Sequence, residues 1–444
     1  MARTTDELIA ELCDYLRIPS ISSGDGSDED LQRAADWVRD RIVAAGGSAD
    51  VLPTQVNPLV VGQLPSSTPS APRVLLYGHY DVQTVAPLEA WTSPPFEPTL
   101  RDGAIYARGA SDDKGNCHAL LAAAADLAAE GALPVQLTIV LDGEEEIGGH
   151  SVIDWIAAQP AGAFDAALVF DAGFVEPGRP AIEIGVRGVI TATVTVRTGV
   201  RDAHSGLYGG AALNAAHVLS ALIAALTPGP DGRLPEPLMA GIIPPSAAEQ
   251  ETWLTLPDPA AELAIAGIAP IGPEALADYY RRTTALPTFD VNAISCRDAA
   301  QNRTIVPSEA TAAISFRLVG GQDASVIWAA AQAFLRARAP AGAELEFELR
   351  GCANGAAFDP KLPAVRLAHE AIEQATNMPC AVTRSGGAIP LVSALAEQGV
   401  PTVLTGCALP NDRIHAPDEH LRVEQYALGV AMARAILTAF GALN

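Results

Sequence analysis

Basic charge is scarce in this sequence: 28 lysines and arginines stand against 52 aspartates and glutamates, a formal net charge of −24 over 444 residues. Nucleic acids and anionic membrane surfaces both need a basic face, so neither is expected as a partner. An anionic small substrate is not excluded, because bound metal ions reverse the sign of a site locally. Long apolar runs are missing too. No window approaches the roughly eighteen uncharged apolar residues of a membrane span. The opening MARTTDELIAELCDYLRIPS lacks the basic start and apolar stretch of a signal peptide, and reads as an amphipathic helix with Leu8, Leu12 and Leu16 on one face. The cysteines (Cys13, Cys117, Cys296, Cys352, Cys380 and Cys407) have no paired spacing. Disulfides and a cysteine zinc site are therefore not expected, and a reducing, cytoplasmic setting is the plain reading. No G-x-S-x-G elbow occurs, which removes the usual mark of a serine hydrolase.

What is present is a well-filled globular composition, 49% hydrophobic and 18% charged, long enough for two or three domains. Through the first 185 or so positions, apolar runs of strand length alternate with helical patterns. RVLLY (Arg73 to Tyr77), VQLTIVL (Val135 to Leu141) and AALVF (Ala166 to Phe170) read as buried strands; Asp30 to Ala45 and Gly115 to Glu130 read as helices. Such alternation predicts an α/β fold, a sheet covered on both faces by helices. From Ile190 to Thr198 the texture changes to strict alternation, the period of a sheet with one wet face. A helix over Leu213 to Leu226, a proline-rich stretch from Thr227 to about Pro259, a second alternating strand at Glu309 to Leu318 and a helix at Ala324 to Ala337 complete a small α+β unit. The tail then returns to the first texture, with helices at Leu362 to Ala375 and Val423 to Phe440 and a strand at Pro401 to Thr405. The expected organisation is one domain built from residues 1–186 and 351–444, interrupted by an inserted domain at 187–350.

The chemistry-bearing residues follow the strands. His79 and Asp81 come just after RVLLY, Glu144, Glu145 and Glu146 just after VQLTIVL, Asp171 directly after AALVF, and His415 in the loop after PTVLT. Ligands of α/β sheets bind beyond the carboxyl ends of strands, so four strands deliver imidazole or carboxylate to one rim. Each residue also has an ordinary reading. Glu144 to Glu146 alone make a solvated acidic turn; Asp112 or Asp113 caps the helix that follows; His415 in NDRIHAPDEH is a loop histidine; Arg317 sits on a surface strand. Against those readings, three adjacent carboxylates repel one another unless a cation intervenes. His79 and Asp81, at i and i+2 in extended chain, share a face, which lets the carboxylate orient the imidazole of a metal ligand. His118 and His217 lie in alanine-rich helices and read as structural.

Three signatures occur in order: Tyr77-Gly78-His79-Tyr80-Asp81-Val82, Gly109-Ala110-Ser111-Asp112-Asp113-Lys114-Gly115 and Gly143-Glu144-Glu145-Glu146-Ile147-Gly148. Together they resemble the M20 metallopeptidases. Trp91 to Gly115, Asp202 to Gly210 (DAHSGLYGG) and Thr383 to Pro390 (TRSGGAIP) are similar to the carnosinase and cytosolic non-specific dipeptidase branch. The resemblance implies a zinc-exopeptidase-like catalytic domain with an inserted lid and dimerisation domain, and hence a homodimer. It also implies two divalent ions, most readily Zn2+ with Mn2+ or Co2+ as alternatives. Asp112 would bridge them, with His79 and Asp171 on one and Glu146 and His415 on the other. Glu145 would be the general base and Asp81 the orienter of His79; His204, Thr304, Arg317 and Gly387 would bind substrate. It further implies a cis peptide bond after Asp112. Two positions depart from the pattern: Ala388 where relatives commonly carry serine, and Ser385 where the branch often carries glutamate.

The resulting expectation is a dipeptidase or short-peptide exopeptidase acting on substrates with a free carboxylate. An N-acyl-amino-acid amidohydrolase with the same metal site is the alternative. A two-domain solute-binding protein without catalysis is a third reading, and an intact Glu145 speaks against it.

Overall fold

The computed structural model describes residues 3–24, 26–296 and 303–443. The expected α/β body is there. Its mixed sheet runs, in spatial order, Ser48–Leu52, Leu59–Leu64, Gln136–Asp142, Arg73–His79, Ala166–Phe170, Thr402–Thr405, Arg179–Glu183 and Ala381–Thr383, with Phe174–Glu176 paired to the side of Arg179–Glu183. Ala166–Phe170 and Thr402–Thr405 are buried throughout, and Arg73–His79 and Gln136–Asp142 are buried over the halves that lead to their carboxyl ends, because both faces are covered, which is why they read as apolar runs. On one face the helices Thr5–Leu16, Asp28–Ala44, Lys114–Ala129, Pro363–Thr376 and Val423–Phe440 close one core, and on the other Ser151–Ala157 and Pro390–Glu397 close a second.

Four strands matter for the site. Arg73–His79 pairs in parallel with both Gln136–Asp142 and Ala166–Phe170, and Ala166–Phe170 pairs in parallel with Thr402–Thr405. All four therefore end on the same rim. The helix Lys114–Ala129 starts at that rim and packs tightly against the sheet, its alanines leaving little separation. Gly78 makes that approach feasible: a Cβ there would stand 2.2 Å from Cys117 Sγ and 2.7 Å from Asp113 Oδ2.

The smaller unit has a four-stranded antiparallel sheet in the order Thr288–Ser295, Glu309–Leu318, Gly188–Arg197, Glu344–Ala353, backed by Ala215–Leu226 and Ala324–Arg336 over its own core. Two of these strands were not foreseen. Thr288–Ser295 is an edge strand whose outer half is exposed, and Glu344–Ala353, also an edge, carries glutamates on its wet face that mask the period of Leu345 and Phe347. This last strand runs past position 350 without interruption. The proline-rich stretch is likewise more structured than its composition suggests, holding the short helix Ala247–Trp253, and further short helices follow it at Pro259–Ile265, Pro273–Ala277 and Tyr279–Thr284. Their prolines mostly stand at the first helical turn, where the missing N–H costs nothing. Among the described residues no helix is long and apolar enough to cross a membrane.

Candidate metal centre

At the rim, His79, Asp112, Asp171, Glu145, Glu146 and His415 converge. His79 ends its strand fully buried, and its backbone N–H donates to Asp113 Oδ2 at 3.1 Å. Its Nδ1 lies 3.0 Å from the Asp81 carbonyl oxygen and 3.3 Å from Asp81 Oδ1, so Asp81 orients the ring through two oxygens rather than through its carboxylate alone. With Nδ1 thus donating, Nε2 points its lone pair at carboxylates: Asp112 Oδ1 at 3.0 Å and Asp171 Oδ1 at 3.8 Å. A nitrogen lone pair facing two anionic oxygens needs a proton or a metal ion between them.

The second oxygen of Asp112 faces the other way. Asp112 Oδ2 is 2.9 Å from His415 Nε2, and Glu146 Oε2 is 3.1 Å from the same nitrogen. The site is therefore two donor clusters, each an imidazole and a carboxylate, sharing one aspartate between them. Asp113 also falls within ligand distance of His79 and Asp171. Its Oδ2, however, already accepts the His79 N–H and the Cys117 thiol at 3.0 Å, which marks it as the residue that locks the loop. The Asp112–Asp113 peptide bond is cis.

The electrostatics are those of carboxylates short of cations. Burial, followed by the neighbouring Asp113, pushes the Asp171 carboxyl well above its ordinary range. Burial likewise drives Glu145 up to about 7, with Asp112 and Glu146 adding to the rise. Hydrogen bonds to Asp112 and Glu146 push His415 up to about 10. Burial alone would lower His79, but its bonds to Asp112 and Asp81 outweigh that and raise it well above the usual imidazole value. No lysine or arginine pairs with any of these carboxylates among the described residues. Buried Glu146 Oε1 has no hydrogen-bond partner among the described residues. Protons are standing where divalent cations would do better, and the mixed nitrogen and oxygen donor set suits such ions.

That competition sets a pH dependence. In the metal-free protein Glu145 and Asp113, the latter raised to about 8 by burial, are carboxyls that ionise harder folded than unfolded. Such groups withdraw stability as pH climbs from the unfolded carboxyl value through the folded one. His415 contributes stability below pH ~6.5 and loses it as pH rises towards its folded value. All three make the metal-free chain weaker between pH 5.5 and 8, about the window over which metal ions replace protons. The gap in melting temperature between metal-saturated and chelated protein should thus be larger at pH 8 than at pH 5.5. A gap that does not change with pH would contradict this assignment.

Beneath the donors lies a layer that sequence reasoning missed. Glu419, fully buried, accepts the N–H groups of Ser111 and Asp112 on Oε1 at 2.9 and 3.0 Å. Its Oε2 accepts the Gly109 N–H at 2.9 Å and Arg108 Nη1 at 2.6 Å. Asp412 accepts the Ser111 hydroxyl at 2.8 Å, and Gln83 Nε2 donates to Glu146 Oε2 at 2.9 Å. Glu144, the first of the acidic triplet, holds its loop through Thr54, Asn57 and Ser151 and takes no part in the cluster. The available clue was that Asp412 and Glu419 flank His415 in NDRIHAPDEH; in sequence they look like solvated loop acids.

The four expected substrate contacts lie apart from the cluster, with no hydrogen bond or ion pair to it among the described residues. His204 is exposed on a two-residue strand paired to Ile305–Val306, its Nδ1 accepting the Gly206 N–H at 3.0 Å, and Thr304 adjoins that pairing. Arg317, opposite Val189 and Thr288 in the small sheet, is half-buried, and its side chain has no hydrogen bond or ion pair among the described residues. Gly387 is exposed and accepts the Arg187 N–H at 2.7 Å. His118, as expected, is structural, bonded through Nδ1 to the Tyr426 hydroxyl at 2.7 Å.

A parallel-sheet rim carrying shared imidazoles and carboxylates over a buried supporting layer is the architecture of a metal-dependent hydrolase. Residues 75–439 match the model of Peptidase family M20/M25/M40, and the chain belongs to that family. Over 415 residues it is 28% identical to a cysteinylglycine-S-conjugate dipeptidase of Corynebacterium striatum, covering 92% of this chain and 90% of that one. Among solved structures it superposes on an M20 family metallo-carboxypeptidase from Sulfolobus solfataricus with a TM-score of 0.85 at 25% identity, covering 98% and 99% of the two chains. Human carnosine dipeptidase 1 shares the fold with a TM-score of 0.78 at 22% identity, over 98% of this chain and 96% of that one.

Proposed function

We propose that this chain is a dinuclear metal-dependent hydrolase that cleaves the amide bond of dipeptides or short peptides bearing a free carboxylate. The observation that carries the reading is the divided carboxylate of Asp112, one oxygen towards His79 and the other towards His415. In this reading Asp112 would be shared by two ions, one held with His79 and Asp171 and the other with Glu146 and His415, with Asp81 orienting His79. Zinc suits the donors best, and manganese and cobalt accept the same set. The ions supply Lewis acidity towards the scissile carbonyl and lower the pKa of water towards 7.

The chain's own part is proton transfer and positioning. Glu145 lies beside Glu146 and its carboxylate makes no hydrogen bond among the described residues, which leaves it available to take a proton from the attacking water and return it to the departing amine nitrogen. Arg317 offers a two-pronged donor for the substrate carboxylate, and Thr304 and Gly387 line its path. His204 stands exposed on the smaller unit; the resemblance that motivates a homodimer has it reach the partner subunit's site to hold the carbonyl oxygen. The domain division at 187 and near 350 and a cytoplasmic setting belong to the same proposal, the latter supported by the scattered spacing of the cysteines along the sequence.

The test is substrate class after metal control. Chelation should abolish turnover and added zinc, manganese or cobalt should restore it, with dipeptides cleaved in preference to N-acetyl-amino acids. Turnover of the acylated compounds alone would replace the peptidase reading with the deacylase one, and turnover that survives chelation would end both.

A further inference from the structure

A cavity of about 320 Å³ opens between the main sheet and the short helices of the smaller unit, within the range of small-molecule pockets. Gly173 and Gly386 line it on one side, Trp253, Tyr279 and Tyr280 on the other. It adjoins the metal centre along the chain. Gly173 lies two residues beyond Asp171, a span of at most about 7 Å, and Gly386 precedes Gly387. The far wall is held in place: Arg384 pairs with Glu249 at 2.5 Å, the Tyr280 hydroxyl donates to the Pro257 carbonyl at 2.7 Å, and Arg179 donates to the Thr255 hydroxyl at 2.6 Å.

The charge inside the cavity is one-sided. Glu183, the last residue of its strand, lines it, as does Glu262. The cavity's arginine, Arg384, is already committed to Glu249, and no lysine or arginine pairs with Glu183 among the described residues. Burial pushes the Glu183 carboxyl up to about 7, against a hydrogen bond from Ser385 that holds it down. A carboxyl so placed lacks a cation. The Tyr279 and Tyr280 rings meet edge-on at 5.1 Å, and aromatic faces attract organic cations.

We propose that this cavity is the subsite that receives an ammonium group of the substrate, with the Glu183 carboxylate as its counter-ion. The inference rests on the peptide-hydrolase reading above and adds to it what the substrate must carry. It also gives the departure at Ser385 a physical counterpart. The carboxylate expected at that position stands instead on the neighbouring strand, where Glu183 is opposite Thr383, two residues before the serine. The ammonium belongs either to the free α-amine or to a basic side chain, and matched substrates separate the two.

The experiment measures KM and kcat for the metal-loaded wild type and Glu183→Gln on four compounds. Alanyl-glycine against propionyl-glycine differs only in the α-amine, and lysyl-glycine against norleucyl-glycine differs only in the side-chain amine. Glu183→Gln should raise KM for alanyl-glycine by about ten- to hundredfold, the loss of one charge-assisted contact, with kcat within about threefold and propionyl-glycine unchanged. A rise confined to lysyl-glycine would assign the ammonium to the side chain. The double variant Glu183→Gln/Ser385→Glu, which returns a carboxylate to the adjacent position, should recover most of the lost affinity. Unaltered KM values, or an equal loss with and without the amine, would overturn the inference while leaving an active wild-type peptidase intact. A wild type that cleaves propionyl-glycine and none of the amine-bearing dipeptides would overturn the peptidase reading itself, and the ammonium subsite with it.

Discussion

Glu145→Gln should lower kcat by about 10²- to 10⁴-fold while leaving bound metal unchanged. The amide keeps the size and shape of the side chain, so packing of the short helix Glu145–Ile147 and the placement of Glu146 are retained. What disappears is the ability to accept a proton. Because burial raises this carboxyl to about 7 in the absence of cations, it holds a proton tenaciously, as a group that must pick one up and pass it on within a single turnover should. Bound divalent ions pull the value down, so the acid limb of kcat/KM in the loaded enzyme lies below pH 7 and vanishes in the variant. The pH profile separates this role from a ligand role, because losing a ligand would change metal content first. Wild-type turnover in Glu145→Gln would remove the general base from the account and leave the solute-binding reading to be reconsidered.

The second large effect is structural in origin. Each oxygen of the Glu419 carboxylate faces two N–H donors, on Gly109, Ser111, Asp112 and the Arg108 guanidinium. Glu419→Gln turns one of those oxygens into an NH2 group, placing donors against donors, and leaves Arg108, 1% exposed, without its counter-ion. Removing one partner of a buried ion pair costs about 3–5 kcal/mol. Against a typical total stability of about 5–15 kcal/mol this is a large share, readable in a urea titration. The same change loosens the loop that presents Asp112, so metal affinity should fall about ten- to hundredfold even where the protein remains folded. A Glu419→Gln protein with unchanged denaturation midpoint and metal affinity would show that the layer beneath the donors is dispensable.

The contrast between these two glutamates shows what the sequence could reveal. Glu144 to Glu146 were legible as a group because three carboxylates after an apolar strand make poor sense without a cation, while the choice of Glu145 as base came from the resemblance alone. His79, Asp171 and His415 were legible because parallel strands end on one rim whatever the loops do. The aspartate pair was harder: Asp112 and Asp113 are adjacent and alike, so the residues alone left the choice open and the resemblance named Asp112, whereas the structure has Asp112 facing both imidazoles and Asp113 taken up by backbone and thiol. Glu419 and Asp412 were invisible as supports, since the donors they satisfy are more than 300 positions distant along the chain. The fold was legible wherever burial gave a clean period. It failed at the edge strands Thr288–Ser295 and Glu344–Ala353, where half of each strand meets solvent and charge obscures the alternation. The short helices Ala247–Trp253 and Pro259–Ile265 were missed because each is stabilised by a cap, Ser246 with Glu249 in the first and Asp258 in the second, rather than by an apolar stripe long enough to read.

A dinuclear centre requires Asp112 to hold two ions at once. Metal content per chain, measured by elemental analysis after exhaustive dialysis of the wild type and of Asp112→Ala, tests that directly. Two divalent ions per wild-type chain, with both sites severely weakened by the single substitution, is the predicted result. One ion or none in the wild type, or two retained in Asp112→Ala, would contradict it.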